Sequence, residues 1–229
     1  MNYGGGQTVD DSGEIEALEF VRRTMKLSRP FTLFDVGAND GRYLHFAFQA
    51  LGEQVRAYSF EPQSESFERL RKRFANDPRV ELRKAAVGKV VGSADLFFDR
   101  EGDSTASLNR DTAQGHMHSE TVQLTTVDEV CSARGIEQID LLKIDTEGYE
   151  TEVLQGASVM IGKGAISSIQ FEFGDTFLHT PFHFIDLWNL LSGRYTIYRI
   201  LRHGLLEISR YSHDLEIYKN ANFLCMWKN

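Results

Sequence analysis

A chain of 229 residues, 41% hydrophobic and 25% charged, is long enough to bury one large core and has the balance of an ordinary water-soluble domain. Its formal net charge of −8 speaks against a general grip on a polyanion such as nucleic acid, and no uncharged stretch is long enough to span a bilayer. Two cysteines, Cys131 and Cys225, are too few for a disulfide framework, so a reducing cytoplasm is the expected compartment.

The chain starts MNYGGGQTVDDSGE, which lacks the basic start and apolar core of a secretory signal. Residues 1–13 read as a loose arm and 14–229 as a single domain. Ile15, Leu18, Val21, Arg22 and Met25 form a helical stripe, with Ser12 or Asp11 as its N-cap. Residues 31–36 read as a buried strand that runs into the glycine-bearing turn 37–41. A helix follows through Leu44, Phe48 and Leu51, then a strand over 55–60 that ends at Glu61-Pro62. The helix over 64–75 is marked by Phe67, Leu70, Arg71 and Phe74, and Asp77-Pro78 stops it. A third strand is expected over 80–87. Ala94, Leu96 and Phe98 alternate as in an exposed strand, and 102–118 is polar loop. Strand is expected over 122–125, a short helix over 127–133 and a buried strand over 139–145. A helix over 149–156, a strand over 166–173, a helix over 182–191 and strands over 195–201 and 222–227 complete the chain. Such alternation favours a doubly wound, mostly parallel sheet with helices on both faces. Ligands then collect at the strand C-terminal edge, after Val36, Phe60, Ala86, Ile144 and Phe173.

Three motifs fall at those ends. In Asp35-Val-Gly-Ala-Asn-Asp-Gly41, Gly37 and Gly41 let the backbone turn sharply against a ligand. Asp35 disfavours a pyrophosphate but suits the ammonium of an amino-acid-like cofactor, and the glycine spacing departs from the dinucleotide fingerprint. Glu61, about twenty residues on, stands where an acid accepts hydrogen bonds from both ribose hydroxyls; the alternative is that it caps the next helix. Pro62 fixes the turn behind it. In Ile139-Asp-Leu-Leu-Lys-Ile-Asp-Thr-Glu-Gly148, Asp145 and Glu147 emerge at a strand end. One can orient cofactor or acceptor and the other can act as general base, unless Thr146, Glu147 and Glu150 only cap the following helix.

Together these motifs resemble the FkbM family of class I S-adenosylmethionine-dependent methyltransferases. The resemblance rests on DVGANDG (35–41), FEP (60–62), TTVDEV (125–130) and IDLLKIDTEGYETEVLQGA (139–157), and it spans roughly 31–173. It implies a Rossmann-like seven-stranded sheet with an antiparallel last strand. It implies S-adenosylmethionine held by Asp35, Gly37, Asn39 and Gly41 on the methionine side and by Glu61 at the ribose. The segment 84–88 brings Ala86 to the cofactor, although Lys84 stands where asparagine is common. The loop 104–108, with Ser107, is expected to close over it. The implied acceptor is a hydroxyl of a sugar, glycan or natural product.

Weaker features remain. His116-Met-His118 suggests a metal pair but reads better as polar loop. Glu172, at the end of the strand over 166–173, and His179 and His183, which follow it, are further candidate bases. Arg69, Arg71, Lys72 and Arg73 read as a solvated helix face, and Phe177, Phe182, Phe184 and Trp188 as core and lid packing. No resident metal is expected, although Asp145 and Glu147 as magnesium ligands stay open. The competing readings are a nicotinamide-dependent oxidoreductase, which Glu61 would also suit, and a non-catalytic module that keeps a nucleoside pocket.

Overall fold

The computed structural model describes residues 12–25, 29–100, 102, 105–110 and 118–228. Helix α1 (Glu14–Thr24) leads into strand β1 (Phe31–Val36), helix α2 (Arg42–Leu51), β2 (Val55–Phe60), α3 (Ser64–Phe74) and β3 (Val80–Arg83). A small-sheet region follows, with β4 (Ala86–Val87), β5 (Gly92–Phe98) and β6 (His118–Thr125). The second half contains α4 (Val127–Arg134), β7 (Ile139–Ile144), α5 (Glu150–Gln155), α6 (Ser158–Gly162) and β8 (Ile166–Phe173). A 3-10 turn over Asp175–His179 and α7 (Phe184–Leu191) precede β9 (Tyr195–Leu201), β10 (Gly204–Ile208) and β11 (Ala221–Trp227).

The main sheet has the order β10-β9-β11-β8-β7-β1-β2-β3. Strands β3, β2, β1, β7 and β8 pair in parallel, and β11 runs antiparallel to both its neighbours, β8 and β9. Seven of the eight strands thus form the expected set, with the last one antiparallel. The eighth, β10, is a correction. It hairpins onto β9 at the sheet edge, where half-exposed residues give little of the apolar signal that marks a buried strand.

Side chains of β1 and β7 alternate between two cores. Leu33 and Leu141 join Leu18, Leu44 and Leu70 on one face. Phe34 and Leu142 join Phe60, Phe171 and Phe223 on the other. Burial on both faces is why these strands read as near-continuous apolar runs. Two more expectations change. The strand expected over 80–87 breaks at Lys84, which is exposed: β3 stays in the main sheet, while β4 pairs with β6 in a separate three-stranded sheet. The buried stripe of α1 is Glu14, Ala17, Leu18 and Val21, with Gly13 rather than Ser12 in the cap position. Ser12 is buried and its hydroxyl donates to Glu14 Oε2 at 2.8 Å, so packing begins before the expected boundary at Glu14. The rest of the expected arm, residues 1–11, lies outside the described residues, as do His116 and Met117. Phe177 and Phe184 are buried against Phe173, as expected of core packing. No helix among the described residues is long and apolar enough to cross a membrane.

Candidate active site

The strand ends are tied to one another before any side chain acts. Gly37 N and Ala38 N donate to Phe60 O, and Asp145 N donates to Val36 O, so the turns after β1, β2 and β7 form one rim. Gly37 has φ 76° and packs its α-carbon against the backbone of Asp145. Above the rim opens a cavity of ≈ 980 Å³, walled in part by Gly37, Glu61, Ala86, Asp145, Glu147 and Glu172. All five strand ends singled out by topology therefore meet there. Asn39 and Glu147, two non-glycine residues with positive φ (46° and 54°), both line it. Strained backbone of this kind concentrates where side chains must be aimed.

Glu61 is buried. Its Oε2 accepts from Asn39 N and its Oε1 from Gln63 N, each at 2.8 Å. Burial pushes its carboxyl up to about 7, against the pull of those two backbone donors. Each oxygen keeps acceptor capacity toward the cavity, because a carboxylate offers about four lone-pair sites. Pro62, Asn39 and Ala86 also line the wall.

Asp35 is placed differently from the expectation. It is fully buried below the cavity and forms an ion pair at 3.3 Å with Lys143, its register partner on β7. Gly41 also turns away: a Cβ there would strike Phe74 and Leu70, so its role is to let α2 pack on α3. Ser107 is buried and donates to Glu147 O at 2.8 Å; its neighbours Thr105, Ala106 and Leu108 line the cavity instead. Ser104 lies outside the described residues. Arg69, expected on a solvated face, reaches Gly102 O at 2.6 Å and lines the cavity.

The acceptor end is acidic. Carboxylate oxygens of Asp145, Glu147 and Glu172 lie within 4.8 Å of one another. Burial and the neighbouring Asp145 and Glu147 push the Glu172 carboxyl up to about 10. A proton on Glu172 relieves the crowding, and in that form the side chain is a donor and not a base. A hard divalent cation is the other arrangement that would relieve three close carboxylates. The turn bearing Glu147 is held by buried Glu150, which accepts from Thr146 N and Gly148 N at 2.8 and 3.0 Å. Glu150 therefore takes the capping work that Glu147 was the alternative candidate for. His179 does not line the cavity; its carbonyl accepts from Asn109 Nδ2. His183 Nδ1 stands 2.6 Å from Tyr218 Oη, and Tyr218 lines the cavity.

Sequence reasoning missed two groups. Lys143 is the cation beneath the rim, signalled only by a charge between the apolar Leu142 and Ile144 of a buried strand. Glu14 is the other: it lines the cavity and accepts from Gln170 Nε2 at 2.8 Å, and Gln170 Oε1 in turn accepts from Tyr43 at 3.0 Å. Its signal was a carboxylate on the buried stripe of α1, together with Leu18 and Val21.

These buried acids set a pH dependence. Burial raises Glu14, Glu61 and Glu150 from an ordinary 4.5 to about 7. Between those values the folded state holds more protons than the unfolded chain, so stability falls as pH rises through about 7. Each pKa unit is worth about 1.4 kcal/mol, a few degrees in melting temperature for a chain of this size. The ligand-free protein should melt several degrees lower at pH 8 than at pH 5.5 in a calorimetric scan. A midpoint that climbs with pH would contradict these burial effects.

The fold and the acid-ended cavity at its strand tips define a class I methyltransferase domain. The family model of the methyltransferase FkbM domain matches residues 35–197, and the chain belongs to that family. It is similar to the 2-O-methyltransferase NoeI of Sinorhizobium fredii, 28% identical over 145 residues, covering 57% of this chain and 59% of the relative. It is also similar to the hexuronic acid methyltransferase AglP of Haloferax volcanii, 24% identical over 139 residues, covering 61% and 53%. The chain thus spans little more than half the length of these curated relatives. Among solved structures, the methyltransferase FkbM from Methylobacillus flagellatus KT superposes with a TM-score of 0.56 at 16% identity, over 87% of this chain and 44% of that one. The plantazolicin methyltransferase BpumL, solved in complex with SAH, gives 0.51 at 9% identity, over 96% and 86%.

Proposed function

We propose that the chain is an S-adenosylmethionine-dependent O-methyltransferase acting on a hydroxyl of a sugar, glycan or natural-product acceptor. The observation that carries this reading is one cavity with two chemically distinct ends: a ribose-type acceptor in Glu61, and a carboxylate cluster at Asp145, Glu147 and Glu172. The residues fit the cofactor, because Glu61 keeps acceptor capacity beyond its two backbone donors and lines the cavity beside the Gly37 turn. Two relatives named for methyl transfer, one to a 2-O position and one to a hexuronic acid, favour a sugar-like acceptor. The acidic chain favours a small acceptor over nucleic acid. Two buried free thiols, Cys131 and Cys225, suit a reducing, cytoplasmic setting.

When bound, S-adenosylmethionine supplies an electrophilic methyl group. The protein's share is to orient the acceptor oxygen in line and to take its proton. Glu61 would hold the ribose, with Pro62 and Ala86 along the nucleoside and Asn39 toward the methionine side. Asp145 would orient the reacting end, and Glu147 would accept the proton. Protonated Glu172 would donate to an acceptor oxygen, and the wall at 105–108 would exclude water. A nicotinamide oxidoreductase is disfavoured by the glycine spacing and by family membership.

Calorimetry with S-adenosylmethionine and with NAD tests the reading. We expect saturable binding of the first only. Glu61→Ala should weaken it about tenfold or more, the worth of a charge-assisted hydrogen bond, with the fold intact. Tight NAD binding without an S-adenosylmethionine signal would overturn the proposal. Cofactor binding without turnover on any hydroxyl compound would mark a non-catalytic module.

A further inference from the structure

We infer that Lys143 is a positioning residue that locks the Gly37 turn and the Asp145 carboxylate together, setting the shape of the cofactor end of the cavity. The register makes this possible. Asp35 and Lys143 are direct partners across β1 and β7, and Asp145 lies two residues beyond Lys143, hence on the same side of the sheet. The ammonium sits between the β1 and β7 ends of the rim. It donates to Gly37 O at 2.9 Å, pairs with Asp35 Oδ1 at 3.3 Å and with Asp145 Oδ2 at 3.4 Å. The Tyr43 ring lies 5.2 Å from the same nitrogen, and Glu14 adds a further negative charge on that side.

A buried lysine is costly unless its charge is matched. Here the match is more than Asp35 requires. The Lys143 side chain is almost fully buried, whereas that of Asp145 is 44% exposed toward the cavity. Neutralising Asp35 alone would need one contact. The other two reach the turn carbonyl and the Asp145 carboxylate, which lines the cavity. Lys143 therefore fixes where Asp145 points and how the Gly37 turn sits, and it acts on the ligand through them.

The inference rests on the cofactor reading, and binding of S-adenosylhomocysteine tests both separately. The double variant Asp35→Asn/Lys143→Met removes one charge of each sign and leaves Asp145 in place. We expect it to melt within a few degrees of the native protein and to bind S-adenosylhomocysteine at least tenfold more weakly by calorimetry. In an Asp145→Asn background the same pair of changes should cost less than threefold, because the lysine acts through that carboxylate. If the methionine version does not fold, Asp35→Asn/Lys143→Gln, whose amide can still donate to Gly37, is read in the same way. Unchanged affinity in a folded variant, or equal losses in both backgrounds, would overturn the assignment. Failure of the native protein to bind S-adenosylhomocysteine would overturn the cofactor reading and this inference with it.

Discussion

Replacing Glu147 with glutamine should slow methyl transfer by about 10²–10⁴-fold, the usual worth of a general base, with cofactor affinity and melting temperature near native. The substitution keeps the side chain's size and removes its charge and its ability to take a proton. The backbone that aims it has other anchors. Ser107 holds the Glu147 carbonyl, and Glu150 holds the amides on either side of the turn. The left-handed φ of 54° is therefore fixed from outside the side chain. A structural role would give the reverse pattern, a lower melting temperature with turnover intact. Asp145→Asn should instead reduce both affinity and rate, because that carboxylate stands at the rim shared with the Gly37 turn. Glu172→Gln provides the contrast. Burial and the neighbouring acids raise its carboxyl and favour the neutral, donating form, and an amide keeps a donor there, so activity should stay near native. Full activity in Glu147→Gln would refute the assignment of the base.

Gly37→Ala should be the most damaging single methyl group in the molecule's binding rim. A Cβ at this position would lie 1.8 Å from Asp145 O, a backbone atom that cannot swing aside. The residue also has φ 76°, which an L side chain adopts only at a cost of about 1–2 kcal/mol. With overpacking of about 1–3 kcal/mol, the change should cost roughly 2–5 kcal/mol in stability. It should also abolish measurable cofactor binding, because the turn and Asp145 must separate. Gly41→Ala is the control. Its Cβ would meet the side chains of Phe74 and Leu70, which can shift, so the loss should be smaller and fall on stability more than on affinity. Equal effects at the two glycines in chemical denaturation and calorimetry would show that the contact between the β1 and β7 ends is not what Gly37 serves.

The sequence by itself determined the layered fold, the strand ends that meet at one cavity, and the acids Glu61, Asp145 and Glu147 that line it. Periodicity and turn residues are local, and a strand that ends in a glycine or an acid announces itself within ten residues. Element β10 escaped notice because an edge strand buries too little to leave an apolar pattern. The division of 80–87 between two sheets was hidden because both pieces are short and no glycine or proline separates them. The tertiary structure alone decided the partners of the buried charges. Asp35 looks like a ligand contact when read along the chain, yet it lies beneath the cavity because β7 brings Lys143 directly opposite it. Glu14 enters the site because α1 packs across the sheet and bonds to Gln170 on β8. Ser107 becomes an anchor for the Glu147 turn, forty positions along the chain. Each of these outcomes depends on which distant charge or carbonyl arrives within about 3 Å, and register and layer packing set that distance where local sequence does not.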